Sequence, residues 1–359
     1  MPKRDYGSGG IRQKVTGRWE ASLRTGGRRI TRNFATRRGA QGWLNKANQE
    51  AQQGTLVVPE RITVAEYLAR WLAAIAASIR PKTLQEYTSV VQTHLIPAFG
   101  TRLLSQLQPL AIQELWQRKI EAGLSPGTVR YIHAVLRRAL KMAVRWGLLA
   151  RNPMDSVEPP RARPAAFAVW TEDEARAFLS GIRTHRLFAL YLLALATGMR
   201  KGELLGLRWE DVDWQGGRLA VRRQVGVVGG RITVGEPKTA KSRRSVALPD
   251  VALSALAEHR ERGGDGSGYV FVSETGEAMW PEVLSRQFLA LAYKMGLPRI
   301  RFHDLRHTAA TLMLSRGVHP KIVSEMLGHS GVGMTLDVYS HVLPHMQREA
   351  AREMQSLLA

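Results

Sequence analysis

Cysteine is missing from all 359 residues. That excludes disulfide bridges, thiol catalysis and cysteine-bound zinc, and it fits a reducing compartment such as the cytoplasm. Acidic residues are scarce: 30 Asp and Glu stand against 52 Lys and Arg, a net charge of +22. The opening stretch MPKRDYGSGG has no apolar segment of the kind a secretory leader needs. The longest apolar run, LFALYLLALATGM (187–199), is too short to cross a bilayer and reads as a buried helix. A membrane-surface role would need a basic amphipathic anchor helix, and none is visible.

What the chain does have is apolar residues, at 44%, enough to bury real cores, and a length suited to two or three domains. The cationic excess implies a polyanionic partner. The basic residues are mostly arginine, whose guanidinium forks onto phosphate oxygens, so nucleic acid is the first candidate.

Three blocks follow one another. In residues 1–56, GRWEASLRTGGRRITRNF alternates as a strand, with Trp19, Ala21 and Leu23 on one face, and turns at TGG into a second strand bearing Arg28, Arg29 and Arg32. A helical stretch, TRRGAQGWLNKANQEAQ, follows. A small sheet backed by one helix, with basic strand faces, suits the DNA major groove. Residues 62–156 read as a bundle of four helices. TVAE at Thr63 and TLQE at Thr83 are capping boxes, and Gly123 and Gly147 punctuate helix ends. The last helix keeps Ile132, Val135, Ala139 and Met142 inside and leaves Arg130, Arg137, Arg138, Lys141 and Arg145 outside, a stripe able to track phosphates. VEPPRARPAA (157–166) reads as a linker. Residues 167–359 mix helices with a small antiparallel sheet through GRLAVRRQVGVVGGRITVGEPKTAKSRRSVALP. The expected fold is therefore multidomain α+β: a small sheet-and-helix domain, a helical bundle, and a mainly helical domain with a small antiparallel sheet.

Several residues in the last block suit chemistry on an anion. Arg200 follows the apolar helix ending at Gly198, and Glu203, three residues on, can share its helical face. In RFHDLRHTAATLM, His303 and Arg306 are spaced i, i+3 and His307 follows at i+4. His329 falls where a helix stops at Gly328, and Tyr339 comes ten residues later. The pairs His303/His307 and His341/His345 have the spacing of helical metal ligands. Pro344 interrupts the second pair, no glutamate sits between either, and Arg306 would repel a dication, so no metal and no cofactor is expected.

Four elements occur in one order: TGMRKGE, PKT, HDLRH, and LGHS followed by a tyrosine. In this the chain resembles the tyrosine recombinases of the phage integrase type, including those with an N-terminal arm-binding domain. The resemblance implies that Arg200 and Arg306 clamp the scissile phosphate, with His303 and His329 as the family's two histidines. It makes Tyr339 the nucleophile, Glu203 the support of the first arginine, and Lys238 the hairpin lysine, with Lys241 a nearby competitor. It further implies a 3′-phosphotyrosyl intermediate without metal or ATP, and double-stranded DNA attachment sites as the target. Its implied partners are a tetramer of the chain on DNA, an excisionase and a DNA-bending host factor. The amphipathic tail PHMQREAAREMQSLLA would dock on a neighbouring protomer. A non-catalytic DNA-binding member of the fold and a type IB topoisomerase are the alternatives.

Overall fold

The structure is a computed structural model, and it describes residues 9–25, 28–53, 61–161, 168–237, 243–263, 268–329, 331–339, 351–352 and 354–358. The chain divides into two compact units, Met1–Arg163 and Pro164–Ala359, with the boundary inside the proline-rich stretch.

The first unit begins with an antiparallel sheet of three strands in the order β1 (Gly10–Gln13), β2 (Trp19–Thr25) and β3 (Arg28–Phe34). The first strand is an addition to the pair read from the alternation. Helix α1 (Arg37–Gln52), capped by the Thr36 hydroxyl, lies against the sheet and buries Ala40, Leu44 and Ala47 with Ala21 and Leu23. Register separates the strand arginines. Ile30 pairs with Leu23 and Arg32 with Ala21, so Arg32 lies on the helix-covered face. Arg29 pairs with Arg24 on the opposite, open face. The Arg28 side chain lies outside the described residues.

The helical block has its own core. Its helices are α2 (Val64–Ile75), α3 (Pro81–Val90), α4 (Ile96–Phe99), α5 (Pro109–Glu121) and α6 (Pro126–Arg145). A π-turn at Val91–Leu95 joins α3 to α4. Thr63 and Glu66 form the expected capping box. Thr83 and Glu86 do not: α3 already starts at Pro81, whose fixed φ and missing N–H suit the first helical position, so Thr83 falls inside the first turn. Trp71, Tyr67, Trp116, Ile132, Val135, Leu136 and Ala139 fill the interior, and the Tyr67 hydroxyl donates to the Ala139 carbonyl. On α6, at about 100° per residue, Arg130, Arg137, Arg138, Lys141 and Arg145 share one exposed stripe.

The second unit is built around the apolar run. It forms α8 (Phe188–Thr197), preceded by α7 (Glu172–Gly181) and followed by α9 (Lys201–Leu205). Eight residues of α8 are buried, as an all-round apolar helix requires. Trp170, Phe178, Tyr191, Phe288 and Phe302 pack ring against ring beside it. Strands β4 (Val212–Asp213), β5 (Arg218–Val221) and β8 (Arg244–Ala247) make one antiparallel sheet, and β6 (Gln224–Val228) with β7 (Arg231–Gly235) makes a hairpin. Helices α10 (Asp250–Gly263), α11 (Pro281–Lys294), α12 (Asp304–Ser315), α13 (Pro320–Leu327) and α14 (Val332–Tyr339) complete it. No helix among the described residues is long and apolar enough to cross a membrane. In the tail, Met354, Leu357 and Leu358 are exposed.

Candidate active site

Two left-handed glycines prepare the site. Gly198 ends α8 at φ 62°, and Gly328 ends α13 at φ 67°. A Cβ at Gly198 would meet Leu327 Cδ2 at 2.4 Å, and one at Gly328 would meet Arg244 Nη1 at 3.0 Å. The two helix ends and the strand bearing Arg244 therefore pack closely at both turns, where the left-handed backbone favours glycine.

Arg200 and Arg306 are held at these turns. Arg200 precedes the first residue of α9, and its Nη1 donates to Glu203 Oε1 at 2.8 Å. Its backbone N–H donates to Glu203 Oε2 at 3.0 Å, and its Nη2 to the Gly328 carbonyl at 3.4 Å. Arg306, in the first turn of α12, is only 4% exposed, and its Nη1 donates to the Gly198 carbonyl at 2.8 Å. That carbonyl belongs to the negative end of α8, a favourable place for a cation.

Glu203 is the anionic hub. Burial alone would raise its pKa. The charge and hydrogen bond of Arg244, with the backbone N–H and charge of Arg200, overcome that and hold the carboxyl below its ordinary range. Arg244 gives Nη2 to Glu203 Oε2 at 3.0 Å and Nε to the Met326 carbonyl. It was not among the sequence candidates. Its signal is the period of two along β8, which puts Arg244 on the same face as the fully buried Val246.

The imidazoles crowd together. His303 and His307 meet edge to face with centroids 5.3 Å apart. His329 receives or gives a hydrogen bond at Nδ1 to the Thr335 hydroxyl, 2.8 Å away. Burial, then the charges of Arg306 and Arg200, push the His329 pKa down to about 4. For His303 the surrounding protein, His307 and Arg306 act in the same direction, to about 4. The His303 side chain is itself exposed. Asp304 is spent elsewhere: burial opposes its ionisation, but it accepts from Arg301 Nη2 at 2.7 Å and is held low.

Arg200, Glu203, Arg306 and His329 are thus gathered in one place, with His303 and His307 beside Arg306. Tyr339 closes α14, ten residues after His329; its side chain lies outside the described residues. Lys238 and Lys241, directly beyond the β6–β7 hairpin, also lie outside them. Of the cations expected to meet DNA, Arg137 pairs with Asp155 at 2.8 Å and Arg138 donates to the Tyr87 hydroxyl at 2.9 Å, while Arg130 and Lys141 are exposed on the stripe.

Guanidinium groups fixed in advance beside imidazoles whose pKa is held low are suited to an anion that gains negative charge. Comparisons with known proteins give the family. A model of the phage integrase family matches residues 169–346, and one of the phage integrase N-terminal SAM-like domain matches residues 63–120. A XerC-like tyrosine recombinase of Caldanaerobacter subterraneus is 30% identical over 327 residues, covering 82% of this chain and 83% of its own. Among solved structures, the Tn1549 transposon integrase in complex with a circular intermediate DNA shares the fold at TM-score 0.71 and 23% identity, over 81% of this chain and 99% of that one. A lambda integrase tetramer bound to a Holliday junction shares it at TM-score 0.62 and 20% identity, over 89% of this chain and 95% of that one. The chain belongs to the phage integrase family, the tyrosine recombinases. Its activity is site-specific recombination of DNA.

Proposed function

We propose that Tyr339 attacks a phosphodiester of a DNA attachment site and forms a 3′-phosphotyrosyl link while a 5′ hydroxyl departs. The bond between tyrosine and phosphorus forms as the bond to the 5′ oxygen breaks. Attack by the 5′ hydroxyl of another strand reverses the step and restores the tyrosine. The energy of the broken bond stays in the protein–DNA link, so rejoining needs no ATP. The observation that carries this reading is the convergence of Arg200, Arg306 and His329 on one spot, each held by a backbone or side-chain partner.

The roles follow from the groups. A phenol is a weak nucleophile at neutral pH, with a pKa near 10. Arg200 and Arg306 stabilise charge on the non-bridging oxygens more in the transition state than in the ground state, which leaves no charge for a metal to supply. His329 adds a hydrogen bond to the same oxygens. His303, kept neutral, accepts or relays the tyrosine proton, and Lys238, or Lys241 in its place, protonates the leaving 5′ oxygen.

The open face of the N-terminal sheet, with Arg24 and Arg29, binds accessory arm sites, and the α6 stripe tracks core-site phosphates. Exchange between two duplexes calls for four copies of the chain, and the exposed apolar residues of the tail suit a neighbouring protomer. An excisionase and a DNA-bending host factor would be its accessory partners on DNA, in the cytoplasm and on the nucleoid.

The test is a nicked suicide core site incubated with the full chain. Covalent protein–DNA adduct is expected with the wild type and none with Tyr339→Phe, while DNA binding persists. Adduct formation by Tyr339→Phe would overturn the assignment.

A further inference from the structure

Thr335 has no place in the chemistry above, yet its side chain is fully buried and its hydroxyl lies 2.8 Å from Nδ1 of His329. A threonine inside a helix ordinarily turns its hydroxyl back to the carbonyl four residues earlier. Here the hydroxyl is directed to an imidazole six residues back, across the turn between α13 and α14.

The direction of that hydrogen bond matters. Burial, and then the charges of Arg306, Arg200, His307 and Arg244, bear on His329, so the ring is neutral and carries one proton. With the proton on Nδ1, the Nε2 lone pair would face an anionic phosphate and repel it. With the proton on Nε2, the ring donates to the phosphate, and Nδ1 must accept from something else. The hydroxyl of Thr335 is that donor. Thr335 also stands one helical turn before Tyr339 on α14, so the helix that fixes the ring is the helix that carries the tyrosine.

We propose that Thr335 is a positioning residue: its hydroxyl donates to Nδ1 of His329, holds the proton on Nε2, and makes this depend on the seating of α14. His329 is then ready to bind phosphate only when the tyrosine-bearing helix is docked. A copy of the chain whose α14 has been drawn away carries a misoriented imidazole as well as a displaced tyrosine, and so is silent twice over.

This rests on the role proposed for His329, and the experiment separates the two. Thr335→Val keeps the shape and removes the hydroxyl; Thr335→Ser keeps the hydroxyl. In single-turnover cleavage of the suicide site by the full chain, Thr335→Val is expected to lose about 10- to 100-fold, by analogy with partners that orient metal-bound imidazoles. Core-site affinity should hold, and Thr335→Ser should recover most of the rate. Adding Thr335→Val to His329→Ala should cost nothing further, because the hydroxyl acts through the ring. Nitrogen NMR of the free protein gives a readout apart from activity: one Nε2–H tautomer for His329 in the wild type, a mixture in Thr335→Val. A wild-type rate in Thr335→Val, a loss that adds to that of His329→Ala, or an unchanged tautomer would overturn the inference. Failure of the Tyr339→Phe test would instead remove the chemistry on which it rests.

Discussion

Arg244 and Glu203 form an ion pair buried almost completely, the arginine side chain 7% exposed and the glutamate 1%, across 41 residues of chain. Through the shared carboxylate, Arg244 fixes Arg200 without facing solvent itself.

Breaking that pair from one side leaves a buried charge alone. Arg244→Ala or Glu203→Gln is expected to cost about 3–5 kcal/mol of folding stability, read by chemical denaturation. Replacing both residues should cost less than the two single losses added together. Additive losses would mean the two residues act separately.

Protonation of the imidazoles gives a pH signature. In the unfolded chain a histidine takes up its proton near pH 6.5, whereas folded His329 does so only at about 4. Between these values the unfolded state binds more protons, so stability falls as pH drops through this window and is flat in this term above it. His303 acts in the same direction. Denaturation curves taken from pH 7 to 4 should show this slope, and His329→Gln should flatten it. An unchanged slope in that variant would place the proton uptake elsewhere.

Gly328→Ala tests the turn. The left-handed conformation costs an L-residue roughly 1–2 kcal/mol, and the new methyl would press on Arg244 at about its Nη1, Cδ and Cζ atoms. Stability is expected to fall by at least the backbone cost, and cleavage to fall further than DNA affinity. Equal losses in both would show that the turn serves folding only.

The α6 stripe makes a prediction about salt. Arg130→Ala and Lys141→Ala should weaken binding alike on core and unrelated DNA, and each should lower the slope of log affinity against log salt by about 0.9. A loss confined to the core sequence would assign these residues to base reading instead.

Local patterns carried far in this chain. The spacing of Arg200 and Glu203, the box at Thr63, and the inner face of Ile132, Val135 and Ala139 are short-range relations, and each recurs in three dimensions. What spacing could not show is contact between distant segments. Nothing in SRRSVALP sets Arg244 apart from the cations beside it, and its use depends on α9 and α13 packing against β8. Thr335 carries no signal of its own in the sequence, and only the turn after α13 brings His329 to it. Thr83 misled for a local reason, since Pro81 had already opened the helix.

Arg306 is fastened to the last turn of α8, a helix enclosed by core side chains. The aromatic packing around Tyr191 and Phe288 therefore sets where the Arg306 guanidinium lies as well as contributing stability. Cavity-forming changes there should misplace a guanidinium at the far end of the helix. Such variants would lose turnover while still folded, so defects mapped to the interior of this unit can present as catalytic ones.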